Sequence, residues 1–192
     1  MTNHQDPRPQ YLLALGQLEK LFAEVTPEAL DRPTPCTEFT LRQLLNHVVG
    51  GVHRCAYMGE GGWADDVLPG IVDQADDAWP AALERARARV AAAWADDAKL
   101  ERPTHAPWGV VPGQIALGGY VMEVVTHSWD IARTLDTGFQ LDEGLSHTAL
   151  AIAQAVLPAE QRGGPVPFEA VQPVSEDADV HTRLAAFLGR AV

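Results

Sequence analysis

Apolar residues recur at helical spacing along most of this chain. Leu12, Leu15, Leu18, Leu21 and Phe22 mark a first helix over residues 11–25, because side chains three and four apart share one helix face. Thr26-Pro27 suits a short extra turn, and Arg32-Pro33-Thr34-Pro35-Cys36 then forces an extended connection, since each proline disfavours helical backbone in the residue before it. Thr40 followed by Gln43 has the form of a capping box. It opens a second helix over residues 41–58, with Leu41, Leu44, Leu45, Val48, Val49 and Val52 as its stripe.

The periodicity then stops. Residues 59–79 are rich in glycine and aspartate and read mainly as a long loop. An alanine- and arginine-rich third helix is expected over 81–94. Residues 96–113 hold three prolines and the run His105-Ala-Pro-Trp-Gly109, which predicts a second irregular connection. A fourth helix starts near Gln114 and carries the stretch 118–135, with Gly138 expected as its left-handed C-cap. Asp142 or Glu143 opens a fifth helix reaching about Val156; residues 163–173 read as extended and proline-rich, and a last short helix covers 178–188. No internal repeat or low-complexity linker divides the chain. The pattern predicts an all-α single domain built on a four-helix bundle.

The fourth helix has two misplaced residues. Glu123 and His127 are four apart, so they stand about 40° apart on one wall at about 100° per residue. Their neighbours there are Ala116, Tyr120, Val124 and Ile131, which belong in a core. A carboxylate and an imidazole among apolar groups are costly unless their desolvation is compensated. A divalent metal would compensate it, because both are good ligands for zinc and its neighbours; an i,i+4 ion pair on a partly wet face is the other reading. His47 is the candidate third ligand. It flanks Leu44 and Gly51 at the edge of the second helix's stripe, with Gly50 and Gly51 one turn on to let a neighbouring helix approach. His47, Glu123 and His127 would form a His₂Glu set, the composition of an open catalytic site.

Asp130 lies one turn beyond His127 on the same wall. It suits a fourth ligand or a group that fixes an imidazole tautomer, or a structural hydrogen bond, for instance to the loop at 32–34. His53 faces away from His47 and is assigned to the surface. His105, beside Trp108, suits a pocket mouth or a solvated loop. His4, His147 and His181 receive no role. Cys36, just ahead of the second helix, has a helix N-terminus to activate it but no paired base, so both Cys36 and Cys55 read as buried structural thiols. No nucleotide-binding glycine loop, HExxH, GxSxG or Ser/His/Asp signature is present, so no catalytic residue is assigned.

Composition narrows the partners. The 192 residues carry a net charge of −12, with 46% apolar and 21% charged residues. That is an ordinary globular composition, and the lack of a Lys/Arg cluster argues against nucleic acid or an anionic membrane as partner. Two cysteines without a CxxC fit a reducing cytoplasm. The polar start MTNHQDPRPQ does not read as a signal peptide, and no run approaches the roughly 20 apolar residues of a membrane span.

Two stretches carry a resemblance. RPTPCTEFTLRQLLNHVVGG at 32–51 resembles the opening motif of the mycothiol-dependent maleylpyruvate isomerase N-terminal family, and EVVTHSWDIA at 123–132 resembles its second motif. RLAAFLGR at 183–190 is similar to the tail of a stand-alone subgroup known as metal-binding proteins. The family belongs to the DinB-like metal-binding superfamily of actinobacteria. The resemblance implies a DinB-like four-helix bundle over about residues 10–158 with additional short C-terminal helices over 159–192, the whole forming one metal-binding domain. It implies a divalent metal, zinc first and nickel second, on His47, Glu123 and His127. Relatives use such a metal to activate a low-molecular-weight thiol such as mycothiol or bacillithiol. The expected partners are therefore a small-molecule thiol and an electrophile, with a homodimer as an open option. The isomerase itself carries a further C-terminal domain that helps form its active site, and no counterpart of it is expected here. The resulting expectation is a cytoplasmic, metal-dependent thiol transferase, or a lyase-like or isomerase-like enzyme, acting on a small electrophile, with loops 59–79 and 102–113 shaping the substrate side. A non-catalytic metal- or ligand-binding stress protein and a metal-dependent hydrolase remain the alternatives.

Overall fold

A computed structural model describes residues 6–71, 74–162 and 168–192. Helix α1 spans Arg8–Ala23, α2 spans Leu41–Glu60, α3 spans Trp79–Ala93 and α5 spans Gly113–Leu135. These four form the bundle: α1 packs on α3 and α5, and α2 packs on the same two. Helix α1 starts earlier than its leucine pattern suggested, because Pro9 falls in the first turn, where a missing N–H costs nothing. The α2 start follows expectation. Thr40 accepts from the Gln43 backbone while the Gln43 side chain accepts from the Thr40 backbone, which satisfies two otherwise orphaned donors.

The core is the intersection of the predicted stripes. Leu15, Leu18 and Phe22 of α1 meet Leu44, Leu45 and Val49 of α2, Leu83 and Ala86 of α3, and Val121 and Ile131 of α5, all buried. Burial of this kind contributes roughly 25 cal/mol per Å² of apolar surface. Two polar residues inside α5 satisfy themselves: Thr126 Oγ1 donates to the Met122 carbonyl at 2.7 Å and Ser128 Oγ to the Val124 carbonyl at 2.8 Å. Back-bonding to the previous turn is how hydroxyl residues survive in a buried helix.

The connection over 96–113 is more ordered than its prolines implied. A short helix α4, Ala98–Glu101, leads into an antiparallel hairpin of β1, Pro103–Ala106, and β2, Gly109–Pro112. Its register pairs Pro103 with Pro112 and His105 with Val110. Both prolines thus sit at the open end of the ladder, where a missing donor does least harm. The C-cap of α5 also differs from expectation: Asp136 adopts the left-handed conformation (φ 53°) and ends the helix, while Gly138 (φ 74°) lies two residues further on.

Helix α6, Glu143–Val156, is capped by Asp142, whose side chain accepts from the Leu145 backbone, and α7 spans Val180–Phe187. Helix α6 packs on α5, and α7 packs on both. Part of the extended run expected at 163–173 lies outside the described residues. No described helix is long and apolar enough to cross a membrane.

The segment after α2 is clasped to it. The Asn46 side chain accepts from the Ile71 backbone N–H at 3.1 Å and donates back to the Ile71 carbonyl, while Arg54 Nη2 donates to the Val67 carbonyl at 2.9 Å. Between them Gly50 meets Gly70 so closely that a Cβ on Gly50 would lie 2.4 Å from the Gly70 Cα. Backbone cannot yield as a side chain can. Gly50→Ala is therefore expected to cost about 1–3 kcal/mol by overpacking and to raise amide exchange over residues 67–71. An unchanged unfolding midpoint and exchange pattern would refute this contact.

Candidate metal centre

The edge of α2 and the inner wall of α5 bring His47, Glu123 and His127 together. One ligand atom from each lies within 4.8 Å of the other two. His47 Nε2 is 3.1 Å from Glu123 Oε1, and the His47 and His127 rings meet edge to face with centroids 5.2 Å apart. The Phe39 ring stacks on the His47 ring with centroids 5.2 Å apart. Gly51 makes room for the carboxylate, because a Cβ there would sit 3.3 Å from Glu123 Oε1. A tight seam between the helices, too narrow to admit a water molecule, is lined by Gly51, Tyr120, Glu123 and His127 with Val48, Val52 and Val124.

Exposure is graded across the group. The His47 and Glu123 side chains are each 27% exposed, His127 9% and Asp130 not at all. The solvent-facing end of the group is therefore at His47 and Glu123. Burial pushes the Glu123 carboxyl up, but the His47 hydrogen bond, both imidazoles and the Arg54 guanidinium outweigh it and hold the group below the ordinary carboxylate range. Glu123 is thus ionised at neutral pH.

Behind His127 lies a second layer. His127 Nδ1 is 2.9 Å from Asp130 Oδ2. A carboxylate there favours the tautomer protonated on Nδ1, which leaves the Nε2 lone pair for the cluster. Arg190 in turn donates to both Asp130 oxygens, through Nε at 3.2 Å and Nη2 at 3.0 Å. Burial pushes the Asp130 carboxyl up, yet His127 and Arg190 together keep it below its usual range. Asp130 thus orients His127. The loop at 32–34 does not bind it: Arg32 reaches the Thr134 carbonyl instead.

Cys36, His127 and Asp130 make a second set whose ligand atoms also fall within 4.8 Å. Its chemistry is poorer. Both Asp130 oxygens are occupied, and burial pushes the Cys36 thiol up despite the pull of Arg190. Cys36 is half-buried rather than buried, whereas Cys55 is fully enclosed, with its thiol driven far above the ordinary value by desolvation. Thiol reagents at pH 7 should accordingly react with Cys36 more slowly than with free cysteine, and with Cys55 essentially only on unfolding. Raised thiol pKa values mean that the Cys36 rate climbs only as pH passes above the usual thiol range. A Cys36→Ser, Cys55→Ala protein should keep its full metal content; loss of metal with the fold intact would transfer ligand status to a cysteine.

The remaining histidines separate from the cluster. His53 is half-buried, not a surface residue; its Nδ1 has no partner among the described residues, and burial pushes its pKa down. His105 stacks on Trp63 with centroids 4.1 Å apart. His181 Nδ1 is 2.7 Å from Ser146 Oγ, His147 is exposed, and His4 lies outside the described residues. Two residues beside the cluster escaped the sequence reading. Arg190 is 60 residues from Asp130, and no local pattern signals such a pairing. Arg54 had a signal: it lies seven residues after His47, two turns along the same helix face.

The mostly helical fold, a four-helix bundle with one two-stranded hairpin among the described residues, is DinB-like. Residues 11–132 match the family described as the mycothiol maleylpyruvate isomerase N-terminal domain, and the chain belongs to that family. It is 33% identical over 187 residues to an uncharacterized protein of Mycobacterium tuberculosis strain CDC 1551 / Oshkosh, a match spanning 97% of this chain and 99% of the relative. The same identity and coverage hold for an uncharacterized protein of Mycobacterium tuberculosis strain H37Rv. No solved structure matches the chain with significance.

Proposed function

We propose that this protein is a metal-dependent enzyme that activates a low-molecular-weight thiol, mycothiol or a close analogue, for transfer to a small electrophile. The observation that carries the proposal is the convergence of His47, Glu123 and His127 ligand atoms within 4.8 Å. The donor set fits a divalent ion, with zinc preferred and nickel second, because borderline ions favour imidazole with carboxylate. Bound there, the ion would supply Lewis acidity that lowers the pKa of a thiol sulfur into the neutral range.

The chain's own residues do the rest. Glu123 and the two histidines hold and partly neutralise the charge, Asp130 fixes the His127 tautomer, and Arg190 keeps Asp130 ionised. Neither cysteine is needed as nucleophile, since burial keeps both protonated. Residues 1–192 act as one unit in this reading, supported by the packing of α7 on α5 and by Arg190 reaching Asp130.

Elemental analysis of the purified protein should find about one divalent ion per chain, as a single His₂Glu set requires. Adding mycothiol or a simpler thiol to a cobalt-substituted sample should produce a new near-ultraviolet band and release about one proton per site, because a ligating thiol enters deprotonated. An unchanged spectrum at saturating thiol, with cobalt demonstrably bound, would sink thiol activation and leave water activation or simple metal binding.

A further inference from the structure

A groove of about 560 Å³ runs along α1, away from the His47–Glu123–His127 cluster. Its size falls within the roughly 300–1,000 Å³ typical of small-molecule sites. One stripe of α1 lines it: Pro9, Leu12, Leu13, Gly16, Gln17 and Lys20, positions three and four apart and therefore on one face. Arg87 of α3 borders the groove at Gly16. The connection from α5 to α6 borders it at Gln17, running antiparallel to α1. That connection is pinned where Thr137 donates to the Glu24 carboxylate and where the Asp142 backbone N–H donates to Gln17 Oε1 at 2.7 Å.

The chemistry changes along the stripe. Toward the start of α1 the lining is apolar: Leu12 is half-buried and Leu13 is 56% exposed, so the leucine face of α1 is wider than the core it fills. Leu141 and Leu145 add to this apolar lining from the other side. Toward the end of α1 the lining is rich in donors. Gln17 is only 8% exposed; its Oε1 is taken by Asp142, while its Nε2 has no hydrogen-bond partner among the described residues. A covered amide donor without an acceptor is costly. Lys20 is exposed and has no ion-pair partner among the described residues. Arg87 commits Nη1 to Glu19 at 3.0 Å, but its Nη2 has no such partner and lies over Gly16, 3.8 Å from where a Cβ would stand. The one acid in the lining, Asp142, spends Oδ1 on the Leu145 N–H at the start of α6. On a protein of net charge −12, this donor-rich end is a local reversal of sign.

We infer that the groove binds a small amphipathic carboxylate, with the carboxylate held at the Gln17–Lys20–Arg87 end and the apolar chain lying over Leu12 and Leu13. The apolar stretch alone would take a neutral chain; the unpaired donors at one end select the acid. The site shares no residue with the candidate metal centre and needs no ion.

Chelator-treated, ¹⁵N-labelled protein is titrated with octanoate, 1-octanol and octylamine, and binding is read from the backbone amides and the Gln17 side-chain amide. Octanoate should shift residues 12–20 and 139–145 saturably. It should bind about fivefold or more tightly than octanol, the scale of a few partly exposed charge-assisted contacts, and octylamine should bind most weakly. Lys20→Glu should remove the preference for the acid and leave octanol affinity unchanged, while Lys20→Arg keeps the preference. Leu13→Ser should weaken acid and alcohol alike. Lys20 and Leu13 are both exposed, so these substitutions spare the fold. No saturable shift in the groove, equal affinity for acid and alcohol, or an acid preference that survives Lys20→Glu overturns the inference. Shifts of the same residues with protein concentration alone also overturn it, by giving the face to a second copy of the chain. With metal removed throughout, failure of the metal reading changes none of these outcomes.

Discussion

Under the metal proposal, replacing Glu123 with alanine should abolish divalent-ion binding. The carboxylate supplies the negative charge of the set and stands 3.1 Å from His47 Nε2, so its loss leaves two imidazoles from different helices. The expected fall in affinity exceeds the roughly 10–100-fold typical of losing an outer-shell partner. His127→Ala should behave alike, because its ring is the better buried and is pre-oriented by Asp130. Equilibrium dialysis with elemental analysis measures all three alanine variants. Full retention of metal in His47→Ala would remove that residue from the set, and full retention in Glu123→Ala would end the metal proposal.

Asp130→Ala should destabilise the fold more than any substitution at the ligands. Asp130 is wholly buried, and Arg190 is 11% exposed. Removing the carboxylate leaves a covered guanidinium without its countercharge, and breaking a buried pair from one side costs about 3–5 kcal/mol. His127 loses its tautomer lock at the same time, so metal affinity should drop by about 10–100-fold. Denaturant unfolding of the metal-free protein isolates the first effect. Asp130→Leu combined with Arg190→Leu should recover much of the loss, since replacing a buried ion pair with apolar groups is often neutral. A loss below about 1 kcal/mol in Asp130→Ala, the range of exposed pairs, would show that Arg190 finds water instead.

Local rules made the bundle legible. The leucine stripes, the Thr40–Gln43 box and the Asp142 cap are each encoded within a turn or two. Glu123 and His127 stood out because their angular position is fixed by the helix itself, and His47 because it flanks an apolar stripe. What depends on distant pairing was hidden. The β1–β2 hairpin is written in eight strand residues, two of them prolines at its open end, too few for an alternating pattern to emerge. Asp136 took the left-handed cap that Gly138 was expected to supply, an option open to aspartate because its short side chain tolerates that region. His53 lies on the face away from the core, and only the tertiary fold half-covers it. Arg190 and Asp130 are related by the docking of the α7 end onto α5, which no periodicity reports.

The Arg190–Asp130 pair also orders events in time. A chain is made from its N-terminus, and its segments fold broadly in that order. His47, Glu123, His127 and Asp130 are all synthesised before Arg190, which follows Asp130 by 60 residues. Until that arginine arrives, Asp130 lacks one of the two groups, His127 and Arg190, that hold its carboxyl below the usual range, and the carboxylate facing His127 is less firmly fixed. During translation the nascent bundle therefore brings the three candidate ligands together before their surroundings are complete, and under the metal proposal tight capture is a late step in biogenesis. A ribosome stalled before codon 190 should display a folded bundle that exchanges metal readily, and release of the finished chain should slow that exchange.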